Sequence, residues 1–151
     1  MKKVEIYSTF YENEENLENR IAIISRLMCE GKQKDILCRY RKTTPERAGM
    51  ISIIKALKAL DRKADITVYT DSKFIVDPIM KEWLYDWIEN NVTKKANFDL
   101  WKIIYNLIEE YKIEFVWAKP SNKNITELKT AALNMFDDIP IKKDAAYENL
   151  N

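Results

Sequence analysis

At Thr44-Pro45-Glu46 the chain changes its hydrophobic period, and that change sets the kind of fold it can adopt. Upstream there are only strand patterns. Val4-Glu5-Ile6-Tyr7 is a first strand, and a hairpin at about 21–29 and 33–41 turns at Glu30-Gly31-Lys32. The Thr-Pro-Glu run announces a helix: a capping hydroxyl, a proline where no N–H is needed, and an acid in the first turn. Met50, Ile53, Ile54, Leu57 and Leu60 then recur at helical spacing and predict a helix to about Leu60. Strands and helices alternate from there. A strand is predicted over Ile66–Thr70, and a helical stretch from Ser72 is interrupted at Asp77-Pro78. A second helical stretch runs from Ile79 to about Glu89. A polar break covers 90–97, a helix follows from Phe98 to about Tyr111, and a strand spans Ile113–Trp117. The loop Lys119–Asn124 leads to a last helix over Thr126–Phe136. This order is a mixed α/β plan.

At 151 residues one domain is expected, here residues 1–136, with 137–151 as a loosely docked tail. No apolar run approaches the ~20 residues of a membrane span, and the opening residues lack a signal-peptide core, so a cytosolic protein is expected. Net charge is +1, from 25 basic and 24 acidic residues, which supplies no strong basic field for nucleic acid. The chain has no histidine. A Ser-His-Asp triad, a Cys-His pair and any histidine-bearing zinc site are therefore excluded. Two cysteines, Cys29 and Cys38, cannot build a four-cysteine site. With the turn centred on Gly31, Cys29 would face Gln33 and Cys38 would face Ile24. The sulfurs would then lie too far apart for a disulfide.

Chemistry first shows itself in "VYTDSKFIV", where the strand Ile66–Thr70 ends in Asp71-Ser72. A carboxylate at the end of a buried strand is a common place for a metal ligand or catalytic acid. An aspartate and serine ahead of a helix are also good capping residues, so two readings of Asp71 stand side by side.

Seven segments, in this order and spacing, resemble type 1 ribonuclease H over residues 4 to 136: "VEIYSTFY", "RKTTPERAGM", "YTDS", "EWLYDWIENN", "NFDLW", "IEFVWAKP" and "ITELKTAA". The resemblance implies a five-stranded mixed sheet, its first three strands antiparallel, with helices on both faces. It also implies cleavage of the RNA strand of an RNA–DNA hybrid by two divalent metals held on four carboxylates, which clamp the attacking and leaving oxygens. Motif by motif, those carboxylate positions fall on Thr9, Gly49, Asp71 and Thr126, and only Asp71 is an acid. The family's histidine-bearing loop has become Lys119–Asn124, and its glycine-rich loop has become the acidic stretch Glu12–Glu18. Glu12, Glu14, Glu46 and Glu127 are the nearby acids that could substitute for the missing ligands.

The resemblance further places Thr43, Thr44, Ser72 and Lys73 at phosphate and sugar contacts. Trp83 and Trp87, four apart on one helical face, either flank a groove that stacks bases or pack inside the fold. Trp101 and Trp117 are expected in the core. The expectation is an inactive ribonuclease H-like protein, with Asp71 vestigial and no cofactor, that retains weak binding to an RNA–DNA hybrid or structured RNA. Two alternatives remain open: a protein-interaction module on the same fold, and a weak magnesium- or manganese-dependent nuclease.

Overall fold

The computed structural model describes residues 2–14, 20–61 and 63–150. Its framework is a sheet of β1 (Lys3–Glu12), β2 (Ile21–Cys29), β3 (Lys32–Tyr40), β4 (Asp65–Thr70), β5 (Lys112–Trp117) and β6 (Ile141–Lys142). The strand order is β5-β4-β1-β2-β3-β6. β1, β2 and β3 pair antiparallel, while β4, β5 and β6 join their neighbours in parallel. The sheet thus has six strands where five were expected.

The sixth strand comes from the segment expected to be a loose tail. Arg39 N donates to Pro140 O at 2.8 Å and Arg41 N to Lys142 O at 3.0 Å, which extends the edge of β3. A short helix α6 (Ala145–Leu150) follows, and Asp144 just before it is buried. Asp144 accepts from the Thr43 hydroxyl and from Arg47 Nε, at 2.9 and 2.8 Å. Arg47, 2% exposed, also holds Asp99 through two hydrogen bonds of 2.9 and 2.8 Å. Burial works against the Arg47 charge, but these carboxylates more than offset it and raise its pKa; the same contact lowers the pKa of Asp99. A mixed-charge, aperiodic tail docks because it supplies a buried cation with its counter-ion.

Helix α1 (Pro45–Lys58) is capped by Thr44, whose hydroxyl accepts from Arg47 N at 3.2 Å. It lies across one face of the sheet and is buried well beyond the predicted stripe, Ala48, Ile51 and Ala56 included. Helices α2 (Lys73–Met80), α3 (Trp83–Glu89) and α4 (Phe98–Glu110) complete the layer on that face. Pro78 sits inside α2 and the interruption comes later, at Glu82, whose φ of 63° turns the chain. The opposite face carries α5 (Lys123–Asn134), where Leu128 and Ala132 pack with Phe136 on Ala22 and Ile24. α5 begins three residues earlier than its apolar pattern suggests. The Asn122 side chain accepts from Asn124 N and Ile125 N and starts the helix there.

The hairpin register is one residue off the expected one. Glu30 and Gly31 both take positive φ, 50° and 78°, so the turn has two residues rather than three. Cys29 faces Lys32 and Cys38 faces Ile23, and both thiols are free. Trp101 is buried as expected, but Trp117 is 39% exposed. It ends β5, an edge strand, two residues past the buried Phe115. Among the described residues no helix is long and apolar enough to cross a membrane.

Candidate functional site

Parallel pairing of β1 and β4 sets Ser8 beside Thr70, and the next residues, Thr9 and Asp71, meet just past that rung. The Thr9 hydroxyl donates to Asp71 Oδ1 at 2.9 Å. Lys129 Nζ lies 2.9 Å from Asp71 Oδ2. The carboxylate side chain is 9% exposed and the ammonium-bearing chain 38%. Both oxygens of Asp71 are thus engaged by donors from this chain.

Lys129 had not been singled out from the sequence, although a signal was there. It follows Thr126 by three residues, so both occupy one face of α5. The position mapped to a carboxylate is exposed, and the Thr126 hydroxyl donates to Pro120 O at 3.3 Å. One turn on, the same face sends a cation to Asp71. Gly49 does face this end of the molecule. A Cβ built on it would lie 3.1 Å from Ser72 Oγ and 3.1 Å from Ile75 Cδ1. The α1–α2 contact is closed there, with space for a hydrogen but little for a side chain.

The candidate replacement acids have other partners or other places. Glu127 Oε2 receives Arg26 NH1 at 2.6 Å, and Arg26 also grips Asp35 through hydrogen bonds of 2.9 and 3.1 Å. Those bonds, Asp35 foremost, raise the pKa of Arg26 and keep Glu127 on the β2–β3 side. Glu12 pairs with Arg20 at 3.1 Å. Glu46 lines a groove with Trp83 and Trp87. Glu14 is exposed at the start of the acidic loop, whose Glu15 and Glu18 lie outside the described residues. Among the described residues no group of three or more Asp, Glu or Cys side chains is placed to hold a metal ion.

The residues mapped to nucleic-acid contacts do not converge on one spot. The Thr43 hydroxyl is bound to Asp144 and the Thr44 hydroxyl caps α1. Ser72 is buried next to Gly49, at the start of α2, and makes no side-chain capping bond. Lys73 is exposed, its ammonium 5.0 Å from the centre of the Trp117 ring. Trp83 and Trp87 do come together, with Phe74 and Trp101, around a groove of about 330 Å³. Lys81 stands 5.1 Å over Trp83, and Lys95 stands 4.3 Å over Trp87. Trp87 also meets Trp101 edge-on at 5.5 Å. Trp83 is an exposed wall of this groove, and Trp87 is half packed.

Comparison with known proteins agrees with this fold. The RNase H family model matches residues 2–132. A ribonuclease H of Trichodesmium erythraeum is 31% identical over 129 residues, covering 81% of this chain and 82% of the relative. Among solved structures, LC9-RNase H1, a type 1 RNase H with the type 2 active-site motif, superposes with a TM-score of 0.71. Identity there is 19%, with 89% of this chain and 72% of that one covered. LC11-RNase H1, solved in complex with an RNA/DNA hybrid, superposes with a TM-score of 0.62 at 16% identity, over 88% and 98% of the two chains. The chain belongs to the RNase H family.

Proposed function

We propose that this chain is a ribonuclease H-like protein without hydrolytic activity, a pseudoenzyme that keeps weak binding to an RNA–DNA hybrid or structured RNA. The observation that carries the reading is the ion pair of Lys129 with Asp71. Two divalent cations require several carboxylates close together. Here one carboxylate has both oxygens engaged, Thr9 and Thr126 offer only neutral hydroxyls, and Gly49 offers no donor. A fixed ammonium also repels any cation entering beside it. This donor set does not fit a two-metal centre. Asp71 then serves the fold, joining β1, the end of β4 and α5.

Nucleic-acid binding is supported by what stays exposed: Lys73, the Trp83 face, and Lys81 and Lys95 over the indoles. The hybrid held by LC11-RNase H1 supports the same assignment by analogy. The near-neutral net charge and the engaged Thr43 hydroxyl argue for low affinity, in the non-specific range of about 10⁻⁴ to 10⁻⁶ M.

The test pairs cleavage with binding. A labelled hybrid incubated with magnesium or manganese should stay intact with the wild-type protein and with Asp71→Asn alike. The same hybrid, titrated at two salt concentrations, should bind weakly, lose affinity as salt rises, and bind less well to Lys73→Glu. Turnover that persists through purification and vanishes in Asp71→Asn would overturn the reading. Binding indifferent to both salt and Lys73 would leave the fold serving protein interaction instead.

A further inference from the structure

Building on the nucleic-acid reading above, we propose that Glu148 is an internal competitor for phosphate. It holds Arg41 in the free protein, and a phosphodiester backbone that reaches the β3–β6 edge takes the guanidinium over. Pairing of β6 with β3 sets Lys142 opposite Tyr40, and Arg41 N donates to Lys142 O at 3.0 Å. The edge therefore gathers Arg41, Lys42, Lys142 and Lys143, all exposed. Among the described residues no ion pair engages Lys42, Lys142 or Lys143. Arg41 has a partner, and it is a poor one. Its Nε donates to Glu148 Oε1 at 2.9 Å, and its terminal nitrogen NH2 lies 2.9 Å from the same oxygen. Glu148 Oε2 is buried and meets no donor among the described residues. A guanidinium fork is best matched by two acceptor oxygens side by side. Here one oxygen serves the fork and the other is stranded.

The element that carries Glu148 is lightly held. A helix of 6 residues is too short to be stable on its own. No described side chain of α6 belongs to either apolar cluster. Its described side-chain ties are to two arginines: Glu148 on Arg41, and the Tyr147 ring under the Arg47 guanidinium at 5.5 Å. Asp144, ahead of the helix, is a different case, because the buried Arg47 and the Thr43 hydroxyl both depend on it. The root of the tail thus belongs to the fold, while α6 is free to exchange. A phosphate presents two oxygens to the Arg41 fork and lies among three lysines that Glu148 leaves without a counter-charge. A row of cations along a strand edge suits a chain of phosphates better than one carboxylate. Arg47 also links this edge to the tryptophan groove, since it donates at 3.4 Å to Asn97, which lines that groove.

Glu148→Gln keeps the shape of the side chain and removes its charge. A fluorescent RNA–DNA hybrid, titrated at two salt concentrations, should bind this variant several-fold more tightly than wild type. Asp137→Asn removes the same charge from an exposed acid of the tail, 3.8 Å from Arg39, and should gain little. Arg41→Gln should bind more weakly, with a salt slope shallower by about one, and should cancel most of the gain from Glu148→Gln. Lys142→Glu/Lys143→Glu should weaken binding several-fold. Hydrogen exchange over 145–148, where Glu148 N is bonded to Asp144 O at 2.9 Å, should quicken when hybrid binds. Thermal melts confirm that each variant is folded. Glu148→Gln binding no better than wild type, a gain matched by Asp137→Asn, or slower exchange of α6 with hybrid bound would overturn the proposal. If Lys73→Glu still weakens binding in that case, the nucleic-acid reading stands without it. No salt-dependent binding by any variant would sink both. A poly-aspartate peptide that binds Glu148→Gln as tightly as the hybrid does would overturn the assignment to phosphate.

Discussion

Lys129→Met removes the ammonium at Asp71 while keeping most of the apolar stem. At 2.9 Å and an effective dielectric of about 20, the gross Coulomb attraction is about 6 kcal/mol. Most of that is returned. Asp71 is nearly buried and lost hydration on folding, and Lys129 is more than a third exposed, so solvent screens the pair. A net loss of about 1–2 kcal/mol is expected, between the values for surface and buried pairs. For a chain of this size that lowers Tm by roughly 3–6 °C. The variant should also gain a response the wild type lacks, because Asp71 Oδ2 becomes free to meet a cation. A site of millimolar affinity would return about 1 kcal/mol at ~10 mM manganese. Thermal melts of both proteins, with and without manganese, read both effects. Equal melting temperatures in the absence of metal, or a wild type that manganese stabilises as much as the variant, would refute the claim that Lys129 holds the place of a metal.

Three further outcomes follow from the same geometry. Thr9→Val deletes the donor to Asp71 Oδ1 in a buried position and should cost about 1–2 kcal/mol by chemical denaturation, with no effect on the rest of β1 pairing. Gly49→Ala gains about 0.5–1 kcal/mol of helix propensity but presses on Ser72 Oγ and the fully buried Ile75, each at 3.1 Å. Crowding of that kind costs about 1–3 kcal/mol, so a net destabilisation of about 1 kcal/mol is expected; an alanine variant more stable than wild type would show that α2 yields there. Asp99→Asn removes a carboxylate whose pKa the Arg47 hydrogen bonds depress. A depressed folded-state pKa stabilises above the unfolded value, near 4, and the benefit disappears as pH falls through the folded value. The variant should therefore melt below wild type at pH 7, with the gap closing below about pH 4.

Features that depend on neighbours in sequence were legible in advance, and features that depend on distant partners were not. Thr44-Pro45-Glu46 starts a helix because the cap, the proline and the acid act within one turn. Asp71 was found because a strand ending in an acid is a local signal. The hairpin slipped by one residue because Glu30 takes a positive φ that its side chain does not advertise. Pro78 was read as a break, yet α2 absorbs it and turns at Glu82. Trp117 looked like core by composition alone, while its exposure follows from its place at the end of an edge strand, two residues past the buried Phe115. Lys129 and the Arg26–Glu127 contact were missed for one reason: each joins α5 to a residue in or just past a strand, 58 or 101 positions away. Helical spacing set Lys129 one turn past Thr126, but nothing local tied it to Asp71.

Arg47 also has a consequence for how the chain is made. Its guanidinium is carried by α1, but its two counter-ions are synthesised 52 and 97 residues later. A nascent chain holding only the hairpin and α1 lacks Asp99, Asp144 and Tyr147, the residues that pair with and cover this cation, so the start of α1 cannot close as it does in the finished fold. Asp99 supplies the first counter-ion when α4 emerges, and Asp144 supplies the second only 45 residues later. Vectorial synthesis therefore leaves this part of the fold open until Asp144 has emerged, and a chain cut short before Asp144 should be removed by proteases rather than accumulate as a shortened fold.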